Sequence, residues 1–164
     1  MRLPQITHVP LDRDKVERLI KSMPEMQAFG KEHKLNKLPK GAARDPNAAL
    51  MQYLKDNNLQ QKLQAMLAKY GFGSIQEWTR TMQSVTIAYG FAKSGKSAAQ
   101  MKNDMQAMIN KIQADPNIPQ DQKAGLIAMF KQQMAMALKM APPPENIAVV
   151  KEMIPQIEQA MKRK

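Results

Sequence analysis

The chain has 164 residues and no cysteine, and its 25 Lys and Arg exceed its 14 Asp and Glu, so the formal net charge is +11. A chain of this length is long enough to form one domain with its own hydrophobic core, without stabilisation by disulfides or metal ions. The lack of cysteine excludes disulfides, thiolate zinc sites and a cysteine nucleophile. No apolar stretch approaches the roughly 20 residues of a membrane-spanning helix. The positive charge favours acidic partners such as nucleic acid, anionic lipid or cell-wall polyanions.

The beginning of the chain is predicted to be an extended lead-in over residues 1–11, followed by a single helical domain over residues 12–164. Asp12 is placed to cap the first helix by accepting a hydrogen bond from a backbone N–H of its first turn. Ser22 and Glu25 form a second capping-box pattern, which predicts a restart or a kink in this helix.

Three start signals organise the middle of the chain. Asp45 followed by proline opens a second helix, which Asn57-Asn58 is predicted to break. Ser74 followed three residues later by Glu77 is a capping box and begins a further helix. That helix carries apolar residues at spacings of three and four over five turns: Ile75, Trp78, Met82, Val85, Tyr89 and Ala92.

The last third contains three more predicted helices. Ser97 and Gln100 form another capping box, and the Pro-rich turn at 115–119 leads into a helix with apolar residues on two adjoining strips. This pattern predicts that the helix is the most central element. A proline triplet then stops it, and Pro155 is expected to kink the final helix.

The fold class predicted from these patterns is all-α. No segment shows the two-residue alternation of a strand bounded by hairpin turns. We therefore expect an irregular bundle of five to seven helices and no sheet.

A complete phosphate-loop pattern, G-x-x-x-x-G-K-S, spans residues 90–97. In a nucleotide hydrolase a strand would feed this loop, Lys96 would reach the terminal phosphates and Ser97 would hold magnesium. The helical register through Trp78 leaves no room for that strand, so we predict a helix-to-helix turn here. A hydrolase stays a remote alternative, and an unchanged melting temperature at millimolar nucleotide would count against it.

Methionine is abundant, with 15 residues in the chain. Three interpretations stay open: packing in a core poor in aromatics, an adaptable groove for an apolar ligand or partner helix, and soft thioether sites for copper(I). The candidate groove residues are Met129, Met134, Met136 and Met140.

The densest positive cluster lies between residues 31 and 44 and is either a solvated loop or a patch for an acidic partner. The candidate patch residues are Lys31, Lys34, Lys37, Lys40 and Arg44. His8 and His33 have no second ligand or carboxylate pair at a useful spacing, and no G-x-S-x-G surrounds a serine. The sequence therefore predicts no metal, no cofactor and no catalytic residue.

Four segments resemble an uncharacterised family of small exported all-helical proteins of Gram-negative bacteria. They are residues 16–26, 71–78, 88–89 and 115–123, with sequences such as GFGSIQEW and DPNIPQDQK. The resemblance implies an all-helical fold and a periplasmic or secreted location, with the signal peptide missing from this sequence. It supplies no catalytic residues and no ligand.

Together these patterns predict a non-enzymatic, exported helical binding protein that engages an acidic or amphipathic partner at the cell envelope. The alternative is a cytosolic nucleic-acid-binding protein that uses the same positive charge. Steep loss of binding with salt is typical of the alternative, and salt-insensitive binding to lipid or an apolar dye is typical of the first. The oligomeric state is left open.

Overall fold

A computed structural model describes residues 7–35 and 46–162 and has an all-α fold, as the sequence predicted. Within these two ranges no β-strand occurs, and eight helices are present against the five to seven expected. They are α1 (Arg13–Glu32), α2 (Pro46–Asp56), α3 (Gln60–Ala68), α4 (Ile75–Ser94), α5 (Ala98–Ala114), α6 (Gln120–Met140), α7 (Pro144–Glu152) and α8 (Ile154–Lys162).

The higher count comes mainly from the last predicted helix, which is two helices rather than one kinked helix. α7 ends at Glu152, and α8 begins two residues later with Pro155 in its first turn. Proline has no backbone N–H to continue the hydrogen-bond ladder of α7, but it is tolerated in the first turn of a new helix. The break at Asn57-Asn58 separates α2 from α3 as expected, and Asn58 has a left-handed backbone with φ 55°.

The prediction of a restart at Ser22 is wrong, because α1 runs through Pro24 without interruption. The Ser22 hydroxyl donates to the carbonyl of Leu19 at 2.6 Å and accepts the indole N–H of Trp78 at 2.8 Å. A tertiary partner 56 residues away thus occupies the group that the capping box would have used. Trp78 itself is buried, as its place on the apolar face of α4 indicated.

The predicted caps at Asp12, Ser74 and Ser97 are present. Asp12 accepts from the N–H of Lys15 at 2.7 Å, and Ser74 accepts from the N–H of Glu77 at 3.1 Å. Ser97 and Gln100 form the full reciprocal box. The cap predicted at Asp45 lies outside the described residues. Local hydrogen bonding at helix starts therefore follows the sequence closely.

Six helices share the hydrophobic core, and we call them the body: α1 to α4, α7 and α8. α4 packs against α7, α1 and α3, while α1 also packs against α7 and α8. The fully buried side chains at its centre include Val16, Leu19, Leu54, Leu63, Leu67, Phe72 and Val150.

The remaining two helices, α5 and α6, form an antiparallel pair that we call the hairpin. Their main packing partner is each other. Ile109 is the one buried residue of α5, and α6 has none. The prediction that α6 is the most central element is therefore wrong. Its two apolar strips are real, but one is half-buried against α5 and the other faces solvent.

An amide side chain fastens the segment before α1 to the body. Asn146 of α7 is buried, its Oδ1 accepts the N–H of Leu11 at 2.9 Å, and its Nδ2 donates to the carbonyl of Val9 at 2.9 Å. The N–H of Val9 donates to the hydroxyl of Ser84 in α4 at 3.0 Å. These bonds satisfy backbone groups that a helix or sheet would otherwise pair.

Two tyrosine–glutamate hydrogen bonds tie body segments together. The Tyr70 hydroxyl donates to Glu25 at 2.6 Å and holds the pKa of that carboxyl below its ordinary value of 4.5. The Lys93 ammonium at 3.0 Å and the Tyr89 hydroxyl at 2.8 Å lower the pKa of Glu158 in the same way. Both carboxylates are thereby favoured in their charged forms.

Candidate binding surface on the hairpin

The phosphate-loop pattern does not form a phosphate loop in this fold. Residues 85–89, which would have to be its strand, lie inside α4, where Val85 and Ala88 are buried in the core. Gly90 is an exposed helical residue, and Gly95 ends α4 with a left-handed φ of 66°. The helical interpretation of this segment is therefore confirmed.

The two residues that would contact nucleotide and magnesium have other partners. The Lys96 ammonium lies 3.1 Å from the carboxylate of Asp104 in the second turn of α5. The Ser97 hydroxyl accepts the N–H of Gln100. Both residues therefore serve the corner between α4 and α5.

The four candidate groove methionines all lie on α6, but they do not share one environment. Met134 is half-buried on the side that packs on α5. Met129, Met136 and Met140 are exposed, with 47%, 37% and 50% of their surface accessible. Met108 of α5 is also exposed, at 47%. Met129, Met136 and Met140 therefore lie on an open face of α6.

The exposed methionines belong to a wider stripe without charge. At 100° per residue, eight positions of α6 fall within an arc about 120° wide. We call this arc the neutral band: Gln122, Gly125, Leu126, Met129, Gln132, Gln133, Met136 and Met140. Every charged residue of α6 lies outside it, namely Asp121, Lys123, Lys131 and Lys139. The band therefore presents only thioether, amide, aliphatic and backbone groups.

The turn between α5 and α6 fixes the two helices relative to each other. The N–H of Asn117 donates to the carboxylate of Asp115 at 2.8 Å, and the Lys123 ammonium donates to the carbonyl of Gln113 at 3.0 Å. These bonds close a rigid Pro-containing connection between the helices. They hold Lys123 at the base of α6 and do not involve the neutral band, whose residues are exposed except for the half-buried Leu126.

The basic cluster is only partly within the described residues. Lys31 lies in the last turn of α1, and Lys34 follows the helix with a left-handed φ of 54°. Both are exposed. Lys37, Lys40 and Arg44 lie outside the described residues.

Two clefts lie on the body. One of about 280 Å³ separates α2 from α4 and is lined by Leu50, Ile75 and Arg80 among others. A second of about 360 Å³ separates α1 from α3 over Phe29 and Met66. Ion pairs cross its mouth: Lys62 with Glu32 at 3.5 Å and Lys69 with Glu25 at 3.3 Å. Its opposite charges thus neutralise each other, unlike the neutral band, which has no charges.

In the described part of the chain, no group of three or more His, Asp or Glu side chains is gathered closely enough to hold a metal ion. None of the helices described above combines the length and apolar content needed to cross a membrane.

The fold and this surface define an all-α protein with an uncovered methionine-bearing helix face. No protein-family model matches the chain. Neither the curated proteins nor the solved structures contain a significant match.

Sequence reasoning identified the methionines of this surface but not its neutrality. The signal was present, because the four charged residues of α6 recur at intervals that all avoid one arc of the helix. A helical projection of charge, in addition to one of hydrophobicity, would have revealed the charge-free arc.

Proposed function

We propose that the protein is a non-enzymatic, exported helical binding protein that engages an amphipathic helical partner through the neutral band at the cell envelope. The observation that carries this proposal is the exposure of Met129, Met136 and Met140 on a helix with no buried residue. Exposed large apolar side chains grouped on one face mark interaction surfaces.

The chemistry of methionine supports an adaptable surface. Its side chain is unbranched and polarisable, so it fits partner surfaces of different shape. Met129, Met136 and Met140 follow one another at spacings of seven and four residues, which is the spacing at which one helix receives the anchors of another. An apolar face of a partner helix is therefore the matching shape.

The envelope location rests on the sequence resemblance to exported helical proteins. The net charge of +11 is compatible with work beside anionic lipid or cell-wall polymers. Lys31, Lys34 and the rest of the basic cluster would then supply a long-range attraction, while the neutral band supplies the contact.

The second candidate is a cytosolic nucleic-acid-binding protein, which the same net charge favours. Base stacking needs accessible aromatic rings close to the positive charges. All eight aromatic residues lie in the described ranges, and each is buried or half-buried. This arrangement favours the protein partner over a single-stranded nucleic acid.

The test uses a synthetic amphipathic peptide of roughly 18 residues with Leu and Ala on one face and uncharged Gln on the other. We expect saturable binding, followed by fluorescence anisotropy, and at least about a tenfold loss in a Met129→Lys/Met136→Lys variant. Met161→Lys is the matched control, because Met161 is 46% exposed on α8. Equal affinity in both variants would overturn the proposal.

Salt separates the two candidates. Peptide binding to the neutral band should persist from about 0.05 to 0.5 M NaCl, whereas DNA or RNA binding should fall by orders of magnitude over this range. Tight, salt-sensitive binding of a random oligonucleotide, with no binding of the peptide, would favour the second candidate.

A further inference from the structure

We infer that the neutral band pairs with the neutral band of a second copy, so that two α6 helices pack antiparallel across a two-fold axis. The inference rests on the proposed function, because it names the amphipathic helix that this surface takes when no other partner is present. In a symmetric pair each copy offers the same patch to the other.

Charge is the first argument for a second copy as the occupant. Two copies that each carry +11 repel each other over most of their surfaces. The neutral band lets the copies meet without placing like charges in contact, since Lys123, Lys131 and Lys139 all lie outside the arc. A partner recognised by charge would instead require Lys or Arg within the arc.

Shape supplies the second argument. If the helices cross antiparallel near residues 129–133, Met136 of one copy faces Gly125 of the other. Nothing lies within 4 Å of the position that a Cβ on Gly125 would occupy, so this site is open to an incoming methionine. Large-to-small pairing of this kind lets helices approach closely.

A register within one residue of this one, about 1.5 Å along the helix axis, also matches the remaining groups of the band. It sets Met129 of each copy beside Gln133 of the other, and Gln122 beside Met140. Each of these glutamines thus lies against a methionine of the other copy, whose flexible side chain can pack on the glutamine methylene groups. The pairing places no charged group inside the contact, since every charged residue of α6 lies outside the arc.

The packing of the hairpin supplies the third argument. With Ile109 as its one buried residue, the hairpin has little apolar burial of its own. Two helices gain stability when further helices complete the layer, and two hairpins together make a four-helix arrangement. Pairing thus buries exposed methionine surface that the single chain leaves in water.

The first measurement is the mass in solution by sedimentation equilibrium. A single pair of helices lies at the small end of protein interfaces, so we expect a dissociation constant on the order of tens of micromolar. Raising NaCl from about 0.05 to 0.5 M should tighten the dimer, because salt screens the repulsion between the two positive copies. A monomer at every concentration up to about 1 mM overturns the inference.

The second measurement uses charge insertion. Met129→Lys/Met136→Lys places four positive charges in the paired band, and we expect the dissociation constant to rise at least about a hundredfold. Met161→Lys, with one added charge on α8, should leave it within about twofold. Circular dichroism and the melting temperature of each variant establish that the fold is retained. Equal dimerisation of both variants sinks the inference.

The third measurement fixes the orientation, and the lack of native cysteine makes it clean. Gly125→Cys and Met136→Cys are prepared as separate proteins, mixed and oxidised mildly. An antiparallel pair gives the mixed disulfide, whereas a parallel pair gives the two symmetric products instead. Predominance of symmetric products would rule out the proposed register.

These outcomes separate the inference from the function on which it rests. If the wild-type protein is monomeric but binds the amphipathic peptide, and the double lysine variant does not, the second-copy inference fails and the proposed function stands. If the protein dimerises and never binds the peptide, the paired state stands and the proposed function fails.

Discussion

The body and the hairpin both contain long helices with apolar strips, yet these helices bury very different numbers of residues. α4 in the body has 20 residues and six buried positions, whereas α6 in the hairpin has 21 residues and none. An amphipathic pattern shows that a helix has an apolar side, but it does not show which element covers that side. One apolar strip of α6 therefore contacts α5, while the other strip is exposed.

The largest expected difference between the two regions comes from matched leucine truncations. Leu63 is fully buried in the body, so Leu63→Ala should lower the free energy of unfolding by about 2–5 kcal/mol. Leu126 is half-buried on the hairpin, and Leu126→Ala should cost less than about 1 kcal/mol. Urea denaturation of both variants provides the measurement. Similar losses at the two sites would contradict the division into body and hairpin.

Removal of the Asn146 amide should come next. Asn146→Ala leaves the Leu11 N–H and the Val9 carbonyl without their partner in a buried site, and we expect a loss of about 1–3 kcal/mol. Asn110 of the hairpin is exposed and bonded to Gln106, so Asn110→Ala should stay within about 0.5 kcal/mol. Thermal melts of Asn146→Ala and Asn110→Ala measure whether the hydrogen bonds of the Asn146 amide contribute this much to stability.

A stabilising substitution tests the helical state of the phosphate-loop pattern. Gly90 lies in α4 with open space where a Cβ would stand, so Gly90→Ala should raise stability by about 0.5–1 kcal/mol. Gly71 is the contrast, because its φ is 79° and a Cβ would lie 2.7 Å from Arg18 Nη1. Gly71→Ala should therefore destabilise. A destabilised Gly90→Ala variant would argue against the helix.

The smallest expected effect is the loss of stability at acid pH, which should differ between the body and the hairpin. Glu25 and Glu158 have lowered pKa values in the folded body, so their contribution is present above the ordinary value of 4.5 and is lost as the pH falls below it. Tyr89→Phe removes one of the hydrogen bonds to Glu158 and should therefore reduce the loss of stability as the pH falls. Melting temperatures between about pH 7 and pH 3 measure it.

On the alkaline side the sign is reversed for the same cluster. Glu158 raises the pKa of both Lys93 and Tyr89 above their ordinary values of 10.5 and 10.0. Their contribution is present below those values and is lost as the pH rises through the folded-state pKa. At acid pH, the same loss of melting temperature in Tyr89→Phe as in the wild-type protein would show that the hydrogen bond between Tyr89 and Glu158 adds nothing to stability.

Much of the local structure could be predicted from the sequence, because its causes are local. Ser97 with Gln100 and Asp12 with Lys15 bond within three residues, and the helix bounds follow from them. Ser22 shows where such reasoning stops. Its neighbours in sequence suggest a cap, but the indole of Trp78 decides its role. The pairing of helices depends on contacts of this distant kind, which no short pattern contains.

The candidate site could be predicted only in part for the same reason. Of the four methionines proposed to line a groove, Met129, Met136 and Met140 lie on one exposed side of α6, whereas Met134 is half-buried on the side that packs on α5. Whether that side is buried depends on the relative placement of α4, α5 and α7, which spacing along one helix does not specify. The exposed state of the methionines therefore required the tertiary structure.

The hydrogen bonds of the Asn146 amide bear on the order in which parts of the chain become fixed during synthesis. The amide that holds Val9 and Leu11 lies 137 and 135 positions later in the sequence. Because a ribosome synthesises the chain from the amino end, it has completed α1 to α6 before it adds this residue. Until Asn146 has been added, the Leu11 N–H and the Val9 carbonyl lack this amide partner, and only the bond from the Val9 N–H to Ser84 of α4 can form.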